Sequence, residues 1–289
     1  MITSQETIGR IHMHKSTIAI IGSGNMGASL VGGLIADNYP PNQIWVADLD
    51  EAKLKELKHR FGINITTDNH EAVKVAEVLI MAVKPQVLPT VIKDLHDTIQ
   101  KHKPLILSVA AGIRESSLQQ WLGGNVAIVR AMPNTPALIG CGASALFANK
   151  WVTSEQHNTA ESILRSVGIV VWLEDENLMD VVTALSGSGP AYFFLFMEAM
   201  QQTAEKFGLP RSIARLLTLQ TAFGASRMAL ESEESVTELK KRVTSPGGTT
   251  EQALRVFEEA GLHKIIEEAI NAAKHRSETL ATQLGADIS

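Results

Sequence analysis

From Thr17 onward the chain alternates short apolar runs of strand-forming residues with longer stretches whose apolar positions recur at helical spacing. The runs are TIAII from Thr17, IWVAD from Ile44, EVLIMAV from Glu77, PLILSVA from Pro104, VAIVRAM from Val126, ASALFA from Ala143 and IVVWL from Ile169. This rhythm predicts βαβ units around a largely parallel sheet, because a parallel strand pair needs a crossover that a helix supplies. Beyond about Leu173 the strand pattern stops. The remainder reads as helices interrupted at Gly187–Pro190, Gly208–Pro210 and Ser245–Gly248, where glycine or proline ends helical hydrogen bonding. The expected architecture is α/β, with a leader at 1–16, an N-terminal Rossmann-type doubly wound sheet at 17–175 and an all-helical C-terminal domain at 176–289. Small residues recur through EAMQQTAEKFG and QTAFGASRMA, which allows close helix contact within one chain or between two.

The first run leads directly into GSGNMG, Gly22 to Gly27, and then into a helical stretch. This is G-x-G-x-x-G in the context that gives it meaning, a strand before and a helix after. Gly22 is expected to make the tight turn, Gly24 to let backbone approach a pyrophosphate, and Gly27 to let helix pack on strand. The plainer reading is a glycine-rich turn with no ligand. Asp48, ending the next strand 21 residues after Gly27, stands where this fold places a ribose-binding carboxylate. Its other reading is a helix cap, but Asp50, directly before EAKLKEL, fits that role better. Lys84 before Pro85 and the small residues Ala110 and Ala111 before Gly112 end two later strands, the edge where open α/β sheets bind ligands. Lys84 is either a charge near a cofactor or a surface lysine in the extended backbone that Pro85 imposes.

Composition narrows the partners. A net charge of −5 with no basic stripe argues against a nucleic-acid partner. The single cysteine, Cys141, cannot form an internal disulfide, and no Cys or His pair has metal-ligand spacing, so no metal site is expected. The leader, with His12 and His14, lacks the apolar core of a secretory signal, and the most apolar later stretch, AYFFLFMEAM, is interrupted by Glu198. No membrane association and a cytoplasmic location are the expectations.

The helical half carries few acids or bases suited to catalysis. His263 and His275 have charged neighbours and read as solvated, and the K-x-x-N motif of β-hydroxyacid dehydrogenases is missing. Attention falls on VTSPGGTTEQAL, from Val243 to Leu254. Thr249 followed by Gln252 matches a capping box. Two adjacent glycines at a helix start also leave backbone N–H groups unobstructed, and such a nest with hydroxyls around it suits the carboxylate of a small acid.

GSGNMG, AVKP, AMPNTPAL, LSGSGPAY, LP followed by LTLQTAFGASRM, and SPGGTT occur in the order and approximate spacing of the Δ1-pyrroline-5-carboxylate reductase family, which the chain resembles from Thr17 to about Leu280. The resemblance implies reduction of a cyclic imine acid to L-proline by a nicotinamide cofactor, the last step of proline biosynthesis. It implies cofactor contacts at Ile21, Gly22, Ser23, Gly24, Asn25, Met26 and Gly27, at Asp48 and Asn69, and beside the nicotinamide at Ala82, Val83, Lys84, Pro85, Val109, Ala110 and Ala111. It implies a substrate site at Ser245, Gly247, Gly248, Thr249 and Thr250, with Thr250 meeting the imine nitrogen as the catalytic hydroxyl and Glu176 matching a glutamate of that site. It implies a C-terminal domain that dimerises, giving a homodimer at least, with a decamer of dimers as a larger assembly open to it. The family uses NADPH by preference, whereas Asp48 suits the free ribose hydroxyls of NADH. Lys53, Lys55 and Asn69 are the residues placed to offset that preference. A nucleotide-binding sensor without catalysis and a β-hydroxyacid dehydrogenase-like enzyme are the alternatives.

Overall fold

The computed structural model describes residues 15–286, so most of the leader, including His12 and His14, lies outside the described residues. The chain divides into two compact units, one containing the described residues up to Met179 together with those from Leu280 on, the other Asp180–Thr279.

The first unit is built on eight strands: β1 Ile18–Ile21, β2 Ile44–Ala47, β3 Asn64–Thr66, β4 Val78–Met81, β5 Leu105–Ser108, β6 Ile128–Met132, β7 Gly142–Ala148 and β8 Gly168–Trp172. They form one sheet in the order β3-β2-β1-β4-β5-β6-β7-β8. All neighbours are parallel except β6 and β7. Helices α1 Asn25–Ala36, α2 Glu51–Phe61, α3 Asn69–Val75, α4 Leu88–His102, α5 Glu115–Trp121 and α6 Ser154–Arg165 connect them. β1 and β4 are buried on both faces, which is why they read as unbroken apolar runs instead of alternating ones. Ile18, Ile20, Val78 and Ile80 pack in one layer with Leu30 and Leu34 of α1, while Ala19, Ile21, Leu79 and Met81 pack in the other with Leu88, Ile92, Leu95 and Ile99 of α4.

The register matters most for function. Ile21 pairs with Ala47 on one side and Met81 on the other, so β1, β2 and β4 end at the same level. The residues that follow, Gly22, Asp48 and Ala82, emerge side by side where the strand order reverses. That reversal is where doubly wound sheets open a ligand crevice.

After β8 the chain is helical: α7 Leu178–Val182, α8 Gly189–Lys206, α9 Arg211–Glu231, α10 Val236–Arg242, α11 Thr249–Glu259 and α12 Leu262–Ala286. Four details differ from the sequence reading. β3 is an additional strand, at the sheet edge and half-exposed, with too short a run to show a pattern. Gly187–Pro190 does not end the helix. Thr183–Gly187 forms a π-helical turn in which the Ser188 N–H reaches the Thr183 carbonyl at 2.9 Å, and Pro190 falls in the first turn of α8, where a missing N–H costs nothing. A further break separates α9 from α10, where Ser235 and Glu238 form a capping box. Gly261, at a φ of 76°, separates α11 from α12.

The second unit keeps much of its apolar surface outside. Phe193, Phe194, Leu216 and Phe223 of α8 and α9 are each more than half exposed. Large apolar side chains exposed together on neighbouring helices mark a surface for interaction with another polypeptide.

Candidate functional site: a dinucleotide cleft and a glycine turn

A cleft of about 280 Å³ opens at the strand-order reversal, bordered by Ile21, Gly22, Gly24, Asp48, Asn69, Ala82, Val83 and Lys84 from the residues expected there. The three glycines serve different physical ends. Gly22 has a φ of 107°, and a Cβ on it would lie 2.7 Å from the Ala82 carbonyl oxygen. A Cβ on Gly27 would lie 2.1 Å from the Gly22 carbonyl oxygen, so this glycine closes α1 onto its own entry loop and, at 3.4 Å, onto Ile20. A Cβ on Gly24 would meet nothing within 4 Å. The space in front of Gly24 is therefore open to a ligand. Gly24 also caps α1, whose first turn has no side-chain cap and no acidic residue. Uncapped amides at the positive end of a helix dipole, over bare glycine backbone, suit a pyrophosphate. The residues present thus fit a dinucleotide.

Asp48 is anchored beside this loop. Its Oδ2 accepts from both the N–H and the hydroxyl of Ser23, each at 2.6 Å, and its Oδ1 accepts from the Asp50 N–H at 3.0 Å. Asp50 is the cap of α2, accepting from Ala52 and Lys53. Partial burial pushes the Asp48 carboxyl up, but the Ser23 hydrogen bonds, the Asp50 amide and the Lys53 charge together outweigh it and hold the group below the usual carboxylate range. Asn69 opens α3 just after its capping residue Asp68. The Lys84 carbonyl accepts from the Val87 and Leu88 N–H groups, which turns the chain into α4.

Ser23, Asn25, Met26, Gly27 and Pro85 do not border the cleft. Val109, Ala110 and Ala111 follow β5, next to β4, and lie beyond its lining. Leu49, Lys53, Val87 and Val91 also line the cleft. Of these only Lys53 is visible in sequence, as a cation near Asp48. Leu49, 88% exposed, carries one signal: a large apolar side chain between two aspartates just beyond a strand.

The second unit holds the glycine turn. Gly248 donates to the Ser245 carbonyl at 3.0 Å, with Pro246 and Gly247 between them. Gly247 has a φ of 73°, the left-handed conformation a type II turn requires after proline. The predicted capping box is not formed. Gly248 is the cap of α11 and no side chain bonds there; instead Glu251 reaches back to accept from the Gly247 N–H at 2.8 Å. Proline and a left-handed glycine place Thr249 inside the helix, one residue too late to cap it. The turn brings Ser245, Gly247, Gly248, Thr249 and Thr250 together.

Glu176 lies in the first unit. Its carboxylate accepts from the Glu115 N–H at 2.6 Å and pairs with Arg130, whose side chain is 7% exposed. Among the described residues no helix is long and apolar enough to cross a membrane.

The comparisons with known proteins agree from several directions. A family model for NADP oxidoreductase, coenzyme F420-dependent, matches residues 17–112, and one for pyrroline-5-carboxylate reductase dimerisation matches residues 176–280. A pyrroline-5-carboxylate reductase of Pseudomonas aeruginosa is 49% identical over 273 residues, 94% of this chain and 100% of its own. The chain belongs to the pyrroline-5-carboxylate reductase family. A solved pyrroline-5-carboxylate reductase from Coxiella burnetii is 46% identical with a TM-score of 0.89, over 92% of this chain and 99% of that one. The Plasmodium falciparum structure, a pyrroline carboxylate reductase with NADP bound, is 29% identical with a TM-score of 0.82, over 93% of this chain and 99% of that one. The match to the family's dimerisation model covers α8 and α9, the helices with the exposed apolar faces, and points to a homo-oligomer.

Proposed function

We propose that this chain reduces Δ1-pyrroline-5-carboxylate to L-proline with NAD(P)H. The observation that carries the reading is the pairing of a dinucleotide cleft, open in front of Gly24, with family membership along nearly the whole chain. The reduced nicotinamide supplies the hydride that the imine carbon accepts, C2 of the pyrroline ring and C5 of the product proline. The protein's own task is binding and alignment, and positioning alone is worth roughly 7–11 kcal/mol.

In this reading the α1 amides and Gly24 hold the pyrophosphate, Asp48 and Asn69 the adenosine side, and Ala82 to Pro85 with Val109 to Ala111 flank the flat ring. The Gly247 N–H already serves Glu251, so the substrate carboxylate falls to the Thr249 and Thr250 amides with the Ser245 hydroxyl. Thr250 orients the ring nitrogen and relays a proton; its hydroxyl is far too weak an acid to act as a general acid near neutral pH. Glu176, shared between Arg130 and the Glu115 amide, supports the segment leading into the helical unit.

The assembly is a homodimer at least, supported by the apolar faces of α8 and α9, and the setting is the cytoplasm. Asp48 refines the cofactor. It faces a 2′-phosphate with like charge, a repulsion of roughly 1–4 kcal/mol at about 4 Å, while a free ribose hydroxyl can donate to it. NADPH is accepted and NADH is used well. Purified protein given the imine with each cofactor tests this reading. Proline is expected with both; dinucleotide binding without proline from either would overturn it.

A further inference from the structure

Ser23 sits within the fingerprint loop, yet it is 6% exposed and does not border the cleft. Its side chain serves Asp48, to which both its hydroxyl and its N–H donate. A carboxylate offers roughly four acceptor positions. Ser23 fills those of Oδ2, the Asp50 amide takes one on Oδ1, and about one remains, on Oδ1, for a ligand. An aspartate without such donors rotates away from an anion that repels it; one held twice through the same oxygen has lost that freedom. The cations nearest Asp48 in sequence have carboxylates of their own. Lys53 pairs with Asp50 at 3.3 Å and Lys55 with Glu51 at 2.7 Å.

We propose that Ser23 is a positioning residue for cofactor choice: by holding Asp48 from beneath, it makes the chain discriminate between a dinucleotide with a free ribose 2′-hydroxyl and one with a 2′-phosphate. The proposal rests on reading the cleft as the dinucleotide site. A serine there does what neither of its neighbours in GSGNMG can do. Gly22 and Gly24 have no side chain, and the Ser23 hydroxyl is a side-chain link, beside the Ser23 N–H, between the phosphate-binding loop and the ribose-binding strand end.

Removing the hydroxyl leaves the backbone bond alone on Oδ2. The carboxylate then turns toward Lys53, and two effects follow together: a 2′-phosphate meets less repulsion, and a ribose hydroxyl loses an oriented acceptor. The affinity ratio therefore moves, where a loosened loop would weaken both dinucleotides alike.

The test is equilibrium binding of NAD+ and NADP+, by isothermal titration calorimetry, to wild type, Ser23→Ala, Asp48→Ser and the double variant. Asp48→Ser is expected to shift the ratio of Kd values toward NADP+ by about tenfold and Ser23→Ala by about threefold, with the double variant no further shifted than Asp48→Ser alone, as coupled neighbours behave. Parallel weakening of both dinucleotides in Ser23→Ala overturns the proposal, and so does a Ser23→Ala shift that persists in full when Asp48 is already serine. An Asp48→Ser variant that binds both dinucleotides in the wild-type ratio overturns it by removing Asp48 from selection. Failure of wild type to bind either dinucleotide defeats the reading of the cleft itself.

Discussion

Two glycine-to-alanine substitutions three residues apart should fail in opposite ways. Gly24 has a φ of −67° and a ψ of −175°, a backbone that alanine adopts freely, and its new Cβ meets nothing within 4 Å. The folded protein therefore tolerates Gly24→Ala, and the less flexible unfolded chain favours it by about 0.4–1 kcal/mol. Gly27→Ala drives a Cβ to 2.1 Å from the Gly22 carbonyl oxygen, a backbone atom that no side-chain rotation can move aside. Overpacking of that kind costs about 1–3 kcal/mol. Replacing a helical glycine returns about 0.5–1 kcal/mol, so the net by these figures is a loss of up to roughly 2.5 kcal/mol. Binding inverts the order of interest. The methyl of Gly24→Ala stands where a pyrophosphate would touch the backbone, so the stable variant is expected to lose about 10-fold or more in dinucleotide affinity, at least 1.4 kcal/mol. Urea denaturation and dinucleotide titration of both variants separate the two effects. Wild-type dinucleotide affinity in Gly24→Ala would refute the assignment of the phosphate site.

Thr250→Val keeps the branched shape and removes the hydroxyl; turnover should fall about 10- to 100-fold, or about 1.4–2.7 kcal/mol, with the far-ultraviolet circular dichroism unchanged. Arg130→Met leaves Glu176, whose side chain is 20% exposed, with the Glu115 amide as its hydrogen-bond donor, and should cost about 1–3 kcal/mol in urea unfolding. Glu176→Gln, which still accepts from Arg130 and the Glu115 amide, should cost less, and equal losses would contradict the ion-pair argument. Because Asp48 is held below the usual carboxylate range, its stabilising contribution is complete above the unfolded value near about pH 4 and disappears as pH falls through the lower folded value. The difference in Tm between wild type and Asp48→Asn should therefore be constant from neutrality to about pH 5 and shrink only in stronger acid.

Much of the first unit was legible because a sheet buried on both faces writes itself as apolar runs. All seven runs found in sequence are strands, whereas β3, half-exposed at the edge, has only Ile65 as a large apolar residue. The cleft was legible through Gly22, Gly24 and Asp48, since a fingerprint loop and a strand-end carboxylate have fixed sequence spacing. The Ser23 to Asp48 contact was not, because it depends on the register that brings the ends of β1 and β2 level. In the second unit, glycine and proline misled where the backbone had another solution. The helix was not broken at Gly187 to Pro190, where a π-turn over Thr183–Gly187 runs into α8, and the Ser245–Gly248 turn made Gly248 the cap of α11, which undid the apparent capping box. The pairing of Glu176 with Arg130, 46 residues earlier, was not legible because nothing in its sequence neighbourhood announces it.

The central claim is hydride transfer from a bound nicotinamide to the imine carbon, which becomes C5 of proline, and isotope placement tests it most directly. Reduction of Δ1-pyrroline-5-carboxylate by the purified protein, with cofactor doubly deuterated at C4, should give L-proline carrying one deuterium at C5, read by mass spectrometry and proton NMR. Proline without deuterium, or with deuterium at another carbon, would contradict the account.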